Sequence, residues 1–289
     1  MVQHANTHRT TPSAAKNRSA WVMTVATATA CLAAIWAHAA SPNARTASPP
    51  PAGTPVLTLM TYNVNYGLGG DTETAHVIRD SAADLILLQE TTPEWEETLR
   101  ALVSTKFPYM VFEHTRNWAP GGMAVLSKRP ILHADPPEPS PVGWFFGWRV
   151  EVNTALGGVQ VLNVHLRPPL TKPSSFARGY FSTPTDRLQE IRAYAAMLKP
   201  GMPTVVVGDF NEGDHGDAIG HLLDLGLDNA LPQFQPGATT WRWPVGSLTA
   251  RTRLDHILYD AAQLDCFSAE VLAAGRSDHF PVVARFVSH

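Results

Sequence analysis

The chain has 289 residues, 44% of them hydrophobic, and a formal net charge of −3. That is enough for one large domain or two small ones, and it supplies no basic field to advertise a nucleic-acid partner. Cys31 and Cys266 are its two cysteines, which excludes a disulfide framework and a cysteine zinc site.

Residues 1–20 contain Arg9, Lys16 and Arg18 and no acid, and Trp21 to Ala40 is mostly apolar. The apolar run closes on Ala37-His38-Ala39, a shape that a signal peptidase could cut. Its length equally suits an uncleaved anchor. Either reading puts the basic end in the cytoplasm and the following domain outside it, secreted, periplasmic or anchored. Residues 1–40 are therefore expected as a signal peptide or signal anchor. Residues 41–55, rich in Pro, Ser and Ala, are expected as a linker without packing potential, and residues 56–289 as the catalytic domain.

Val56 to Val64 reads as a first strand, with Asn63 at its end. After a Gly-rich loop, Asp71 or Thr72 can cap a helix to about Ala83. Leu85 to Leu88 is a buried strand ending at Gln89-Glu90. Thr92-Pro93 opens a second helix, with Trp95, Leu99 and Leu102 on one face. Short strands follow at Tyr109 to Phe112 and Met123 to Leu126, then a Pro-rich loop from Pro136 to Pro141. Trp144 to Trp148 leads into a strand over Arg149 to Val152. Val159 to Val164 follows as the second arm of a hairpin across Gly157-Gly158 and delivers Asn163 and His165. A long loop, Pro168 to Pro184, carries Lys172, Phe176, Arg178 and Tyr180. Pro184 starts a helix to about Leu198. Val205-Val206-Val207 reads as a strand that Gly208 ends, placing Asp209, Asn211 and Glu212 just beyond. A helix spans about Ala218 to Leu225, and a loop holds Trp241 and Trp243. A strand over Leu254 to Leu258 carries Asp255 and His256, and Ser277-Asp278-His279 precedes the last strand, which ends at Phe286. Directly joined strands mixed with helices predict an α/β sandwich of two mixed sheets with helices outside.

Polar groups thus recur wherever apolar strands stop. Singly, each has a bland reading as a turn former, a solvated loop end or a hydrogen-bonded core histidine. Together they supply carboxylates, two imidazoles and two amides. Carboxylate oxygens suit Mg²⁺ or Mn²⁺, a carboxylate can act as base toward water, and imidazoles can meet phosphate charge. Neither an H-E-x-x-H motif for zinc nor a G-x-S-x-G serine nucleophile is present.

The ordered motifs Thr61-Tyr62-Asn63-Val64, Leu88-Gln89-Glu90, Asn163-Val164-His165-Leu166, Gly208-Asp209-Phe210-Asn211, Arg253-Leu254-Asp255-His256-Ile257 and Ser277-Asp278-His279-Phe280-Pro281-Val282 resemble those of the endonuclease/exonuclease/phosphatase superfamily. The resemblance covers about residues 56 to 287 and looks nearest to extracytoplasmic bacterial members. It implies a four-layer α/β sandwich, deoxyribonuclease I-like, with a cleft at one end of both sheets. It also implies roles. Glu90 looks like the main metal ligand, with Asn63 nearby and Asp278 assisting. Asp209 looks like the group that orients or deprotonates the attacking water, and Asn211 holds phosphate. His279 looks like the phosphate-side imidazole, oriented by Asp255, and His165 like the second imidazole. Asn63, Lys172 and Arg178 are further candidate substrate contacts. In deoxyribonuclease-like members a further Glu supports the first imidazole; Glu113 is the one candidate in the corresponding stretch, and it matches loosely.

The expected activity is a Mg²⁺- or Mn²⁺-dependent phosphoesterase acting by in-line attack of water, nuclease-like, on DNA. Lipid or inositol-phosphate substrates are the alternative, and a non-catalytic module that binds a phosphorylated ligand is the other class. A monomer is expected, with membrane contact through the amino-terminal segment alone. Aromatics at Trp144 to Trp148 either pack a strand or contact substrate.

Overall fold

The computed structural model describes residues 44–115, 118–169 and 183–289. Strands β1 (Leu57–Asn63), β2 (Leu85–Gln89), β3 (Tyr109–Glu113), β4 (Met123–Ser127), β13 (Leu264–Val271) and β14 (Val282–Ser288) form one six-stranded mixed sheet, in the order β13-β14-β1-β2-β4-β3. Strands β5 (Ile131–Ala134), β6 (Trp148–Thr154), β7 (Gly157–His165), β8 (Thr204–Asp209), β9 (Leu227–Asn229) and β12 (Asp255–Asp260) form the other, in the order β5-β6-β7-β8-β12-β9. A two-stranded hairpin, β10 (Trp241–Val245) and β11 (Leu248–Thr252), stands apart from both. Helices are α1 (Thr72–Asp80), α2 (Pro93–Val103), α3 (Pro184–Ala195), α4 (Asp217–Asp224) and the short α5 (Ala230–Phe234). The predicted α/β architecture of two mixed sheets with flanking helices is the observed one.

Side-chain alternation builds the layers. In β1 and β2, Leu57, Leu59, Leu85 and Leu87 face the second sheet, where they meet Val161, Val205, Val207 and Ile257. Their neighbours Met60, Tyr62, Ile86 and Leu88 face outward onto Ile78 of α1 and Trp95 and Leu99 of α2. On the far side, Leu162, Val164, Val206 and Leu258 meet Ile191 and Tyr194 of α3 and Ile219 and Leu222 of α4. Strands covered on both faces read as unbroken apolar runs, which is why these were legible in sequence. Each such Leu, Ile or Val contributes roughly 1.5–3 kcal/mol by leaving water.

Helix starts follow capping chemistry. Asp71 accepts a hydrogen bond from the Thr74 N–H at 2.9 Å, and Thr92 accepts from the Trp95 N–H at 3.3 Å with Pro93 in the first turn. Helix α1 stops at Asp80, short of the expected Ala83.

Several strand assignments differ from expectation, and the short β5 and β9 are strands that the sequence reading lacks. Gly208 lies inside β8, not beyond it, because β8 continues to Asp209 between β7 and β12. The Trp241 to Trp243 stretch is the first arm of a hairpin, turned at Gly246 with φ 61°. Strand β13 pairs with β14 although its polar residues hide the pattern. The segment before β1 also differs from a free linker. The Arg45 N–H bonds the Gln233 carbonyl, the Arg45 guanidinium lies 5.1 Å from the Phe234 ring centroid, and the Ser48 N–H bonds the Phe267 carbonyl. Among the described residues, no helix is long and apolar enough to cross a membrane. Trp21 to Ala40, with the signal-or-anchor expectation, lies outside the described residues.

Gly208 is required by contact as well as by conformation. Its φ is +139°, and a Cβ there would sit 1.8 Å from the Val164 carbonyl oxygen. Gly208→Ala is therefore expected to destabilise the domain by about 3 kcal/mol or more, measured as a lowered urea midpoint with an unchanged slope.

Candidate active site

Register assembles the site. Strand β8 pairs in parallel with β7, so His165 lies opposite Asp209, and it pairs antiparallel with β12, so Asp255 lies opposite Asp209. Three neighbouring strands therefore present an imidazole and two carboxylates in one row. In the other sheet Asn63 ends β1 opposite Gln89 of β2, and Glu90 follows immediately. The two sheets are joined just beneath by a buried amide pair. Gln89 Nε2 donates to Asn163 Oδ1 at 2.7 Å, and Asn163 Nδ2 donates to the Leu88 carbonyl at 3.1 Å.

The Asp209 carboxylate is the focus. Asn63 Nδ2 lies 3.1 Å from Asp209 Oδ2 and 3.1 Å from Glu90 Oε1, so one amide bridges the acids of opposite sheets. His165 Nε2 and His279 Nε2 each lie 3.5 Å from the same Asp209 Oδ2. Its Oδ1 accepts the Asn211 N–H at 2.9 Å. On its other side His279 holds Asp255 through Nδ1, 2.8 Å from Oδ2. The His279 N–H bonds Ser277 Oγ at 3.1 Å, and that hydroxyl donates to the Asn63 carbonyl at 2.8 Å. Thr240 Oγ1 accepts the Asp255 N–H at 3.0 Å.

Charge states follow from burial and neighbours. Burial pushes the Asp209 carboxyl up to about 7, with His279 pulling the other way. Burial opposes charge on His279, yet the Asp255 and Asp209 carboxylates prevail and raise it to about 10. His165 is driven well below its ordinary value by burial, reinforced by the charge on His279. At neutral pH one imidazole is thus a cation and the other neutral. Glu90 is raised by burial. Its side chain keeps 16% exposure against 2% for Asp209, so Glu90 marks the open side.

Of the expected residues, Asn63, Glu90, His165, Asp209, Asp255 and His279 converge on this centre. Asn211 lies beside it but commits Nδ2 to the Leu166 carbonyl at 2.9 Å. Asp278 is held one step away, by Asn65 Nδ2 at 2.8 Å and Trp241 Nε1 at 3.2 Å. Lys172 and Arg178 lie outside the described residues. Glu113 ends β3, and no hydrogen bond or ion pair joins it to His165. Glu212, next to the central motif, serves the scaffold: it meets Arg187 at 3.0 Å and accepts the Ile219 N–H in the first turn of α4. His256 points away from Asp255, onto Asn229 and the Glu212 carbonyl. Sequence reading missed Asn65, Ser277 and Thr240. Asn65 had a local signal, an amide two residues beyond Asn63, whereas Ser277 and Thr240 act across the fold and had none.

The donors fit a hard divalent cation. Glu90 and Asn63 offer oxygens at the centre, and Asp278 offers them one step away, where Asn65 and Trp241 hold it. Among the described residues no Lys or Arg ion pair reaches Glu90, Asp209, Asp255 or Asp278, so buried negative charge exceeds the single cationic imidazole. Atoms of Asp209, Asp255 and His279 lie within 4.8 Å of one another and form a second possible set. The 2.8 Å bond between Asp255 and His279 Nδ1 already uses two of its members.

The family described as Endonuclease/Exonuclease/phosphatase matches residues 60–279. No curated protein matches the chain. Among solved structures the chain is similar to an endonuclease/exonuclease/phosphatase from Beutenbergia cavernae DSM 12333, with TM-score 0.65, 21% identity, and 81% of this chain and 72% of that chain covered. D. rerio TDP2 complexed with single strand DNA product gives TM-score 0.63 and 13% identity over 80% of this chain and 98% of that one. The human Nocturnin catalytic domain with bound sulfate anion gives 0.60 and 20% over 82% and 96%. These likenesses establish the deoxyribonuclease I-like fold.

A raised imidazole pKa means that the folded chain keeps a proton the unfolded chain releases near pH 6.5. That contribution is complete below about pH 6.5 and lost as pH rises through about 10. Asp255→Asn should therefore cost about 3 kcal/mol near neutral pH, the scale of a broken buried pair. The gap to wild type should narrow steadily toward about pH 10 in urea denaturation at stepped pH.

Proposed function

The chain belongs to the endonuclease/exonuclease/phosphatase family, a family of hydrolytic phosphoesterases, and on that premise we propose a metal-dependent phosphodiesterase of nuclease type acting outside the cytoplasm. The observation that carries the reading is the focus on Asp209 Oδ2, where Asn63, His165 and His279 converge with Glu90 alongside. A phosphate-binding module would have no use for a buried carboxylate whose pKa is near 7.

Residue chemistry supports in-line attack. Asp209, whose carboxyl is raised by burial, is the base that takes the proton of the attacking water. Its Oδ1 is fixed by the Asn211 N–H, and Oδ2, which accepts from Asn63 Nδ2, has a lone pair left for that water. His279, kept cationic and oriented by Asp255, meets the charge that grows on the phosphate oxygens. His165, neutral, stands on the side of Asp209 away from that dyad and serves the leaving oxygen. Asn211, whose Nδ2 already bonds the Leu166 carbonyl, has one amide hydrogen left to reach phosphate. Glu90, Asn63 and Asp278 would hold Mg²⁺ or Mn²⁺, which when bound withdraws charge from the phosphate as a Lewis acid.

DNA is the substrate favoured here, in keeping with the single-strand product carried by the TDP2 relative. One observation favours a second reading. The hairpin face that begins at Trp241, on Asp278, runs out through Trp243, half exposed, to Leu248, which is 67% exposed. An aromatic and a leucine projecting beside the site suit a lipid interface, hence a phospholipid or inositol-phosphate substrate. Assay of the purified chain, acting as a monomer, against duplex and single-stranded DNA, phospholipid vesicles and inositol phosphates separates the two. Loss of vesicle hydrolysis alone in Trp243→Ala selects the lipid reading.

Two further outcomes are expected. Glu90→Gln should weaken apparent Mg²⁺ or Mn²⁺ affinity by roughly tenfold or more together with activity, read by metal titration; unchanged metal dependence would remove Glu90 from the ligand set. His279→Ala and Asp255→Ala should each lower kcat on the order of a hundredfold. The double variant should lose far less than the product of the single losses, because linked groups are non-additive. Additive losses in folded variants would dissolve the dyad.

A further inference from the structure

The two imidazoles are held in different ways. His279 is fixed by a carboxylate on Nδ1, whereas His165 Nδ1 is buried with no hydrogen-bond partner. Its Nε2 has only longer approaches, 3.5 Å to Asp209 and 3.9 Å to Glu90. An imidazole normally takes its orientation from the bond on its second nitrogen, and ring rotation about the last side-chain torsion is otherwise broad. Something else must fix this plane. The Phe145 ring lies flat on His165, with centroids 3.5 Å apart and planes 12° from parallel. Trp118 covers Phe145 at 4.5 Å and 21°, and Trp144 braces Trp118 edge-on at 5.5 Å. Arg167 lies 5.3 Å from the Trp144 ring centroid. The strut is fastened from below: Tyr194 donates its hydroxyl to the Phe145 carbonyl, and a Cβ on Gly147 would sit 2.4 Å from the Tyr194 ring. The Trp144 to Trp148 cluster thus divides. Phe146 and Trp148 enter the core between the sheets, and Phe145 turns to the site.

We propose that Phe145, backed by Trp118, is a positioning residue that holds the His165 imidazole in its reactive plane by ring-face contact, where a hydrogen bond to Nδ1 is lacking. The proposal rests on the reading of His165 as the imidazole that serves the leaving oxygen. Stacked rings in offset or parallel contact contribute about 0.5–1.5 kcal/mol beyond their burial. That is enough to favour one rotamer several-fold. Because reaction geometry tolerates little displacement, the consequence for turnover is larger than for stability.

The test compares Phe145→Leu, which keeps an apolar side chain without a flat face, with Phe145→Tyr, which keeps the face. Steady-state kinetics on a phosphodiester should show kcat reduced about ten- to a hundredfold in the leucine variant, with KM changed far less, and near-wild-type kcat in the tyrosine variant. In a His165→Ala background Phe145→Leu should add almost nothing, because it acts through that ring. The His165 ring protons, followed by NMR in the full chain, should give one sharp set in wild type and Phe145→Tyr, and a broadened or doubled set in Phe145→Leu. The NMR arm needs no activity. If the wild-type chain hydrolysed no phosphoester, the functional reading would fall while the positioning claim was still decided. An unchanged kcat with a single sharp ring signal in Phe145→Leu overturns the proposal, as does an undiminished effect of that change without His165. Should Phe145→Leu fail to melt cooperatively, Trp118→Ala takes its place. Weaker loss and broadening in the same direction are expected there, and no change in either refutes the strut.

Discussion

Negative charge placed where water cannot reach is the constraint from which the site follows. Asp209 and Asp255 are both buried, and Glu90 stands at the rim. An uncompensated buried ion costs several kcal/mol, so nearly every oxygen here is answered by a donor. His279 spans the two aspartates as a cation. Asn63 joins the carboxylates of opposite sheets with one amide group, and backbone N–H groups of Asn211 and Tyr66 take Asp209 Oδ1 and Glu90 Oε2. The compensation is incomplete in charge, though nearly complete in hydrogen bonds; Asp255 Oδ1 is an unpartnered exception. A site built this way carries negative charge that a bound cation would offset.

That arrangement is supported by backbone strain. Among the described residues the non-glycine positions with positive φ are Asn65 at 63°, Glu90 at 61° and Asn211 at 52°, and all three flank the centre. Left-handed backbone at a residue with a Cβ costs on the order of 1–3 kcal/mol. Local bonds maintain it: Asn65 accepts the Gly67 N–H, Trp95 Nε1 donates to the Asn65 carbonyl, and Thr91 N–H bonds the Gly122 carbonyl. Gly122 permits that last contact, since a Cβ there would come within 2.0 Å of the Thr91 oxygen. Stability is therefore given up at the strand ends and recovered in the three apolar layers below them.

What could be read from sequence was whatever leaves a local mark. Val205-Val206-Val207 and Leu85 to Leu88 announce strands covered on both sides, and Asn63, Glu90 and Asp209 stand out because each interrupts such a run. Asp209 and Glu212 look alike in a linear string, yet one enters the site and the other anchors a helix, because they leave the strand end in different directions. Phe145 gave no sign of its place, since the surrounding Trp-Phe-Phe-Gly-Trp run is equally good core, and two of its members are core. The β10–β11 hairpin was hidden by Pro244 and two arginines, and Arg45 by a composition that otherwise looks like free tether. Phe145 and Arg45 depend on partners elsewhere in the chain, and single-residue chemistry does not encode distance.

The row of His165, Asp209 and Asp255 carries one more implication. These residues lie on three adjacent strands and share a level only because β7, β8 and β12 pair in one register. Side chains alternate faces along a strand, so a shift of β8 by a single residue would turn Asp209 away from the site and exchange Val205 and Val207, which pack between the sheets, with Val206, which packs under α3 and α4. Both faces of β8 are apolar, so burial alone does not set this register; a shifted β8 would instead bring a residue with a side chain to the place where Gly208 meets the Val164 carbonyl, and that contact excludes it.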